Sequence, residues 1–154
     1  MMTKKDIVIM AHLRNNSRAT ITEMAKRTNI PISTIYDKLK LHEGSAIQKH
    51  TCLLDFSKIG FSTKANVVLK IERDSRDAAQ EFLLKNSNVN SVYKINNGFD
   101  FLVECVFKHL KELEDFLEGM ESRFKILDKK IYYVIEDIKR EGFMSDPGMV
   151  ETLL

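Results

Sequence analysis

The sequence predicts an α+β protein in two parts: a winged helix-turn-helix, then a ferredoxin-like domain of βαββαβ order. Three observations predict it. Ile21 to Lys40 reads as two short amphipathic helices joined by a tight turn. From Thr63 the pattern changes from a helical period to a strand–helix–strand–strand–helix–strand order. Between two strand-like segments stands Asn97-Gly98, a strong short hairpin signal, because a type I′ turn needs positive φ at both central positions.

Taken in order, Lys5 to Asn15 carries Ile7, Val8, Met10, Ala11 and Leu13 and makes a first helix that stops near Asn15-Asn16. Thr22 to Thr28 makes the second, with Met24 and Ala25 turned inward and Thr20 or Thr22 able to cap its free N–H groups. The corner falls at Asn29-Ile30-Pro31. Asn tolerates the left-handed conformation better than most residues, and Pro suits a first helical turn. In the third helix Ile32, Ile35, Leu39 and His42 recur at three- and four-residue steps and share an inner face. Ser33, Tyr36, Asp37 and Lys40 point the other way, with Thr34 and Lys38 at the flanks. After Gly44, Ala46 to Phe56 turns β-like and is expected to form a wing, with Lys49 and His50 placed to touch phosphate. The expected division is 1–56 for this domain, 57–61 for a hinge, 62–142 for the second domain and 143–154 for a tail.

In the second domain, Ala65 to Ile71 is rich in β-branched residues and makes the first strand. Arg76 to Lys85 is a helix with Ala78, Ala79, Phe82 and Leu83 on one side. Val89 to Asn96 alternates as a strand, and Phe99 to Phe107 returns from the hairpin. Leu110 to Phe124 is a second amphipathic helix, and Lys129 to Ile138 closes as the last strand. Both helices then cover one sheet face, and a second copy is the natural cover for the other. The strands at 65–71 and 99–107 look apolar enough on both faces to require it. The tail holds a turn at Asp146-Pro147-Gly148, and its Val150, Leu153 and Leu154 leave docking and disorder equally open.

The outer side chains of the third helix have the chemistry of a DNA-reading surface. Lys meets guanine acceptors or phosphate, Ser and Thr bond base edges or backbone, and Asp accepts from a cytosine amine. An ordinary helical hairpin with a solvated face fits the pattern taken alone about as well, and Asp37 repels phosphate. Charge favours the first reading: residues 1–50 carry a net +5 and the remainder −3. No stretch approaches a membrane span, no signal peptide is evident, and a cytoplasmic location is expected. Cys52 and Cys105 are too far apart for a metal-ligand pair, both are expected to be buried thiols, and the four histidines are scattered. Neither a glycine phosphate loop, a serine elbow nor a carboxylate dyad is present, so no catalytic site, metal or cofactor is expected.

From about Ile7 to Lys139 the chain resembles the Lrp/AsnC (feast/famine) family of transcription regulators. The matching pieces are Ser33-Thr34-Ile35 opening the third helix, Leu53 to Phe56 leading into Lys58-Ile59-Gly60, Val92-Tyr93 running into Asn96 to Asp100, and Tyr132 to Lys139. Their order and spacing are more specific than any one of them. The resemblance implies an ACT-like (RAM-type) second domain and a homodimer built through it, often assembled further into octamers. It also implies promoter binding by the first domain, modulated by an amino acid or related metabolite held between dimers. On this sequence the effector positions are Asn97, Gly98, Asp100, Tyr132, Tyr133 and Val134, and the DNA-binding positions are Ser33, Thr34, Tyr36, Asp37, Lys38, Lys40, Lys49 and His50. Gly98 replaces the first acid of the family's hairpin, and Phe124-Lys125-Ile126 replaces its Pro-Gly-Val. Two other readings stand beside this one. One is an architectural DNA-packing protein of low base specificity. The other is a siroheme-decarboxylase-like enzyme on the same fold, for which no constellation of basic and histidine side chains is visible.

Overall fold

In the computed structural model, which describes residues 1–154, helix α1 spans Lys4–Asn15, α2 Ile21–Thr28 and α3 Ile32–His42. Both α1 and α2 open on a capping box. Thr3 and Thr20 accept from the backbone N–H three residues on, while Asp6 and Glu23 reach back to the cap N–H groups. The corner between α2 and α3 forms as the sequence predicts, with Asn29 left-handed at φ 56° and Pro31 leading into α3. Ile9, Met24, Ile30 and Ile35 are the buried centre of this helical unit. Ile32, expected on the inner face, is half exposed, because it sits in the first turn ahead of that contact.

A buried carboxylate fixes the third helix against the first. Asp6 is 3% exposed, its Oδ1 accepts from Lys38 Nζ at 2.7 Å, and His42 Nε2 lies 3.0 Å from the same oxygen. Its Oδ2 accepts from the Thr3 backbone N–H at 2.6 Å and from the Thr3 hydroxyl. Burial alone pushes the Asp6 carboxyl up. The hydrogen bonds from Lys38, Thr3 and His42 outweigh it and hold the group well below the usual carboxylate range.

The segment expected as a wing differs from the prediction. Residues 46–55 contain one bridge, Glu43 with Ile47, and no ladder; Cys52, Leu53 and Leu54 stand exposed. A two-stranded wing needs a second strand to pair with, and Asp55 instead caps a short 3-10 helix, Phe56–Ile59, that ends at Gly60 with φ 92°. The hinge expected at 57–61 is thus mostly a helical turn. Cys52 is an exposed thiol. Cys105 is buried as expected, and burial, with Glu104 beside it, pushes its thiol up to about 12.

The other unit is a sheet of four antiparallel strands, β1 (Thr63–Ile71), β2 (Val89–Lys94), β3 (Phe101–Phe107) and β4 (Ile126–Tyr133), ordered β2-β3-β1-β4. Helices α4 (Arg76–Lys85) and α5 (Leu110–Arg123) supply Ala79, Leu83, Leu113, Leu117 and Met120 to a core shared with Val67, Leu69, Val103 and Phe107. This is the βαββαβ arrangement the strand and helix order predicts. β4 stops five residues before the expected Ile138. Its partner β1 begins at Thr63, so after Val134 N–H donates to Lys64 O no ladder remains to continue. The sheet face away from the helices carries Val68, Leu102, Tyr93 and Tyr132 among Lys64, Asn66, Glu104 and Lys130, so it is mixed rather than wholly apolar.

The two units divide differently from the expected boundaries. Met1–Leu53 and Ile138–Leu154 form one, and Leu54–Asp137 the other. The tail therefore belongs to the helical unit. Arg14 donates to the carbonyls of Phe143 at 2.7 Å and Glu141 at 2.9 Å, Asn15 donates to Ser145 O, Lys4 pairs with Glu151 at 2.8 Å, and Val150 is fully buried.

Asp6→Asn is expected to destabilise the protein by about 3 kcal/mol near neutral pH, because it leaves Lys38 half-buried without its counter-charge. The native carboxyl is depressed, so its contribution is complete above the unfolded-state value near pH 4 and declines as pH falls below it. Urea titrations of both proteins at pH 7 and pH 3 should show the gap narrowing in acid.

Candidate functional site

Helix α3 presents Ser33, Tyr36, Asp37 and Lys40 as one exposed stripe at three- and four-residue spacing. None of these side chains makes a hydrogen bond or ion pair within the chain, so their donors and acceptors are available. Ile32 at 52% exposure and Leu41 at 71% flank the stripe and add apolar surface suited to a thymine methyl. Thr34 is half-buried at its edge.

Lys38 is a correction. The sequence places it at the flank for phosphate, but its ammonium lies on Asp6 at 2.7 Å and near Thr3 Oγ1 at 3.3 Å, with the side chain 21% exposed. The signal was present in the sequence: a lone acid on the inner side of α1 needs a cation, and α3 carries one. Lys49 and His50 are exposed in the loop after α3, and His50 Nε2 lies 3.7 Å from Glu43 Oε1.

The effector candidates separate into two groups. Asn97 at φ 63° and Gly98 at φ 87° form the predicted tight turn between β2 and β3. Asp100 follows, but its carboxylate is already engaged. Oδ2 accepts from Ile71 N–H at 2.7 Å, Oδ1 faces Arg76 Nε at 3.2 Å, and the Asp100 N–H donates to Leu69 O. The side chain takes over where the β1–β3 ladder ends at Leu69 and Phe101. Its first role is thus to pin the hairpin to the end of β1 and the start of α4.

Tyr132 and Tyr133 lie elsewhere. They pair with Asn66 and Ala65, near the opposite end of β1 from Leu69 and Ile71. At about 3.3 Å per residue, four to five residues of strand put roughly 15 Å between the two groups. Both tyrosines are exposed and Val134 is half-buried. Within one chain the hairpin and the end of β4 do not meet.

With this geometry in place, comparison with known proteins is decisive. The Lrp/AsnC ligand binding domain matches residues 64–143, and a winged helix-turn-helix DNA-binding domain matches residues 2–40. The chain belongs to the Lrp/AsnC family. An uncharacterised HTH-type transcriptional regulator of Pyrococcus abyssi is 27% identical over 148 residues, which cover 96% of this chain and all of that one. The HTH-type transcriptional regulator FL11 of Pyrococcus horikoshii is 29% identical over 118 residues, 76% of this chain and 78% of its own. Among solved structures, a transcriptional regulator of Neisseria meningitidis in complex with L-methionine superposes with a TM-score of 0.82 at 23% identity, covering 91% of this chain and 94% of that one. E. coli AsnC superposes at 0.79 with 14% identity, covering 91% and 96%, and these likenesses establish the Lrp/AsnC fold. No helix is long and apolar enough to cross a membrane.

Asp100→Ala should release the Ile71 amide, which then exchanges its hydrogen faster, and should cost about 1–3 kcal/mol by leaving that donor without a partner. Hydrogen exchange resolved at Ile71 checks it; unchanged protection would mean that the carboxylate does not hold the hairpin.

Proposed function

We propose that this Lrp/AsnC protein is a sequence-specific regulator that reads double-stranded DNA with α3 as a two-fold dimer. The observation that carries the reading is the unpaired stripe Ser33, Tyr36, Asp37 and Lys40 on a helix fastened from behind by Asp6. A helix with free polar groups outward and a fixed inner face is the element that enters a major groove. Lys49 and His50 supply backbone contacts from the loop, and Thr34 contacts at the flank. Lys38 has no place among them.

The mixed outer face of the sheet supports dimerisation. Val68, Leu102 and Tyr93 offer apolar area, while Lys64, 2.9 Å from Asp137 and 3.9 Å from Glu104, is already neutralised. The separation of Asn97, Gly98 and Asp100 from Tyr132, Tyr133 and Val134 supports an effector site assembled from two chains. An amino acid or related metabolite would lie where one subunit's hairpin meets another's β4, and its binding would join dimers into larger assemblies. With the Asp100 carboxylate engaged by Ile71 and Arg76, the Asn97 amide oxygen and the tyrosine hydroxyls are the side-chain acceptors these positions leave for an effector ammonium.

Binding-site selection with Lys40→Ala and Tyr36→Ala should return altered preferred sequences, each good base contact being worth about 1–3 kcal/mol of discrimination. The selected sites should be pseudo-palindromes with half-sites near whole helical turns apart. Lys49→Ala should weaken all DNA similarly and lower the slope of log affinity against log salt by about one. Lys38→Ala should lower stability and leave that slope unchanged. Unaltered site choice in both Lys40→Ala and Tyr36→Ala would exclude α3 as the reading helix.

The assembly has its own test. Val68→Glu places a charge at the centre of the outer sheet face, and light scattering should then report monomers at concentrations where the parent chain is dimeric.

A further inference from the structure

The sheet domain has an open pocket that neither the α3 stripe nor the hairpin and β4 residues line. Its volume is about 620 Å³, within the range of small-molecule sites, and its apolar walls are Phe61, Phe82, Phe107 and Phe116. Phe82 packs against Phe116 at 6.2 Å between ring centres, and Phe107 against Phe116 at 5.5 Å, so three rings form one aromatic surface.

The charges around it are unequally engaged. Of the two acids, Glu112 accepts the Lys108 backbone N–H at 3.0 Å and lies 3.6 Å from His109 Nδ1, while Asp115 holds Lys111 at 2.8 Å. Neither cation has a carboxylate. Lys108 Nζ stands 5.9 Å from the centre of the Phe61 ring, and the Arg123 guanidinium 5.0 Å from that of Phe82. Lys108 and Arg123, with no carboxylate of their own, are the side chains left to receive a negative group.

Gly119 also lines the pocket. It sits within α5, where glycine weakens a helix relative to alanine, yet a Cβ there would meet nothing within 4 Å. A side chain added at this position would extend into open space beside the pocket.

We propose that this cavity binds a small aromatic carboxylate, its ring against the phenyl surface and its carboxylate on Arg123, with Lys108 adding positive charge. Arg offers a planar pair of donors matched to a carboxylate. A phosphate is disfavoured because Glu112 occupies the first turn of α5, where free N–H groups would otherwise receive it. An ammonium on the ligand would have to compete with Lys111 for Asp115 and with the Lys108 amide for Glu112.

The test uses the full chain and three probes: phenylpyruvate, L-phenylalanine and adenosine monophosphate. Calorimetry should show phenylpyruvate binding more tightly than either of the others. Arg123→Gln should weaken it about tenfold or more, a common scale for losing one charged hydrogen bond. Gly119→Leu should block it by filling the cavity, with circular dichroism confirming that both variants stay folded. No binding of phenylpyruvate at millimolar concentration would overturn the proposal, as would equal affinity in Arg123→Gln and Gly119→Leu. Tighter binding of the nucleotide or of L-phenylalanine would overturn the ligand class. Binding that survives Arg123→Gln but is lost in Tyr132→Ala would place the ligand on β4 and overturn the site.

Discussion

Asp6 carries the one full charge buried in this molecule, and the orientation of α3 depends on it. Three groups converge on its carboxylate. Thr3 belongs to the cap of α1, Lys38 to the middle of α3 and His42 to its last turn. A charge taken out of water costs several kcal/mol unless its partners are well placed, so the arrangement tolerates little displacement of α3 along or around its axis. Apolar contacts at Ile9, Met24 and Ile35 hold the helices together without choosing among nearby rotations. The polar triad chooses one. That choice aims Ser33, Tyr36, Asp37 and Lys40 outward together, which a sequence-reading surface requires.

A comparable division of labour governs the sheet domain. β1 is central, paired with β3 on one side and β4 on the other, and its two ends serve different neighbours. At one end Asp100 replaces a missing ladder partner and fastens the hairpin. At the other, β4 outlasts its last pair by a single residue and releases the chain. The antiparallel register therefore fixes the separation of the two candidate effector groups, and no side-chain movement brings them together within one chain. A small molecule touching both would report on the meeting of chains rather than on the state of any one.

Most of the architecture was legible because it rests on local chemistry. Asn29 before Pro31, the periodic apolar residues of α2 through α5, and Asn97-Gly98 each express a backbone preference that tertiary packing did not override. The exposed stripe on α3 was legible for the same reason, since helical spacing alone sorts Ser33, Tyr36 and Lys40 from Ile35 and Leu39. Sequence pattern and structure part where the outcome depends on a distant partner. Lys38 looks like a surface lysine until Asp6, thirty-two positions earlier, is brought beneath it. Residues 46–56 have strand composition but no strand to pair with, and Ile32 has the correct period one turn too early. Asp100 has the chemistry of a ligand contact, yet the end of β1 claims it first. The tail gave no signal, because its anchors are backbone carbonyls at Glu141, Phe143 and Ser145, and every sequence supplies those.

That tail bears on how the protein is made. The helical unit consists of residues 1–53 together with residues 138–154, so its two pieces are separated in the chain by the whole sheet domain. Helices α1 to α3 leave the ribosome early and then wait through the whole sheet domain before Val150 and the carbonyls that Arg14 binds arrive. Chains interrupted between residues 53 and 138 have all three helices in sequence but lack their final cover. The helical unit thus closes only after the sheet domain has been made, and its completion requires residues 138–154 as well as 1–53.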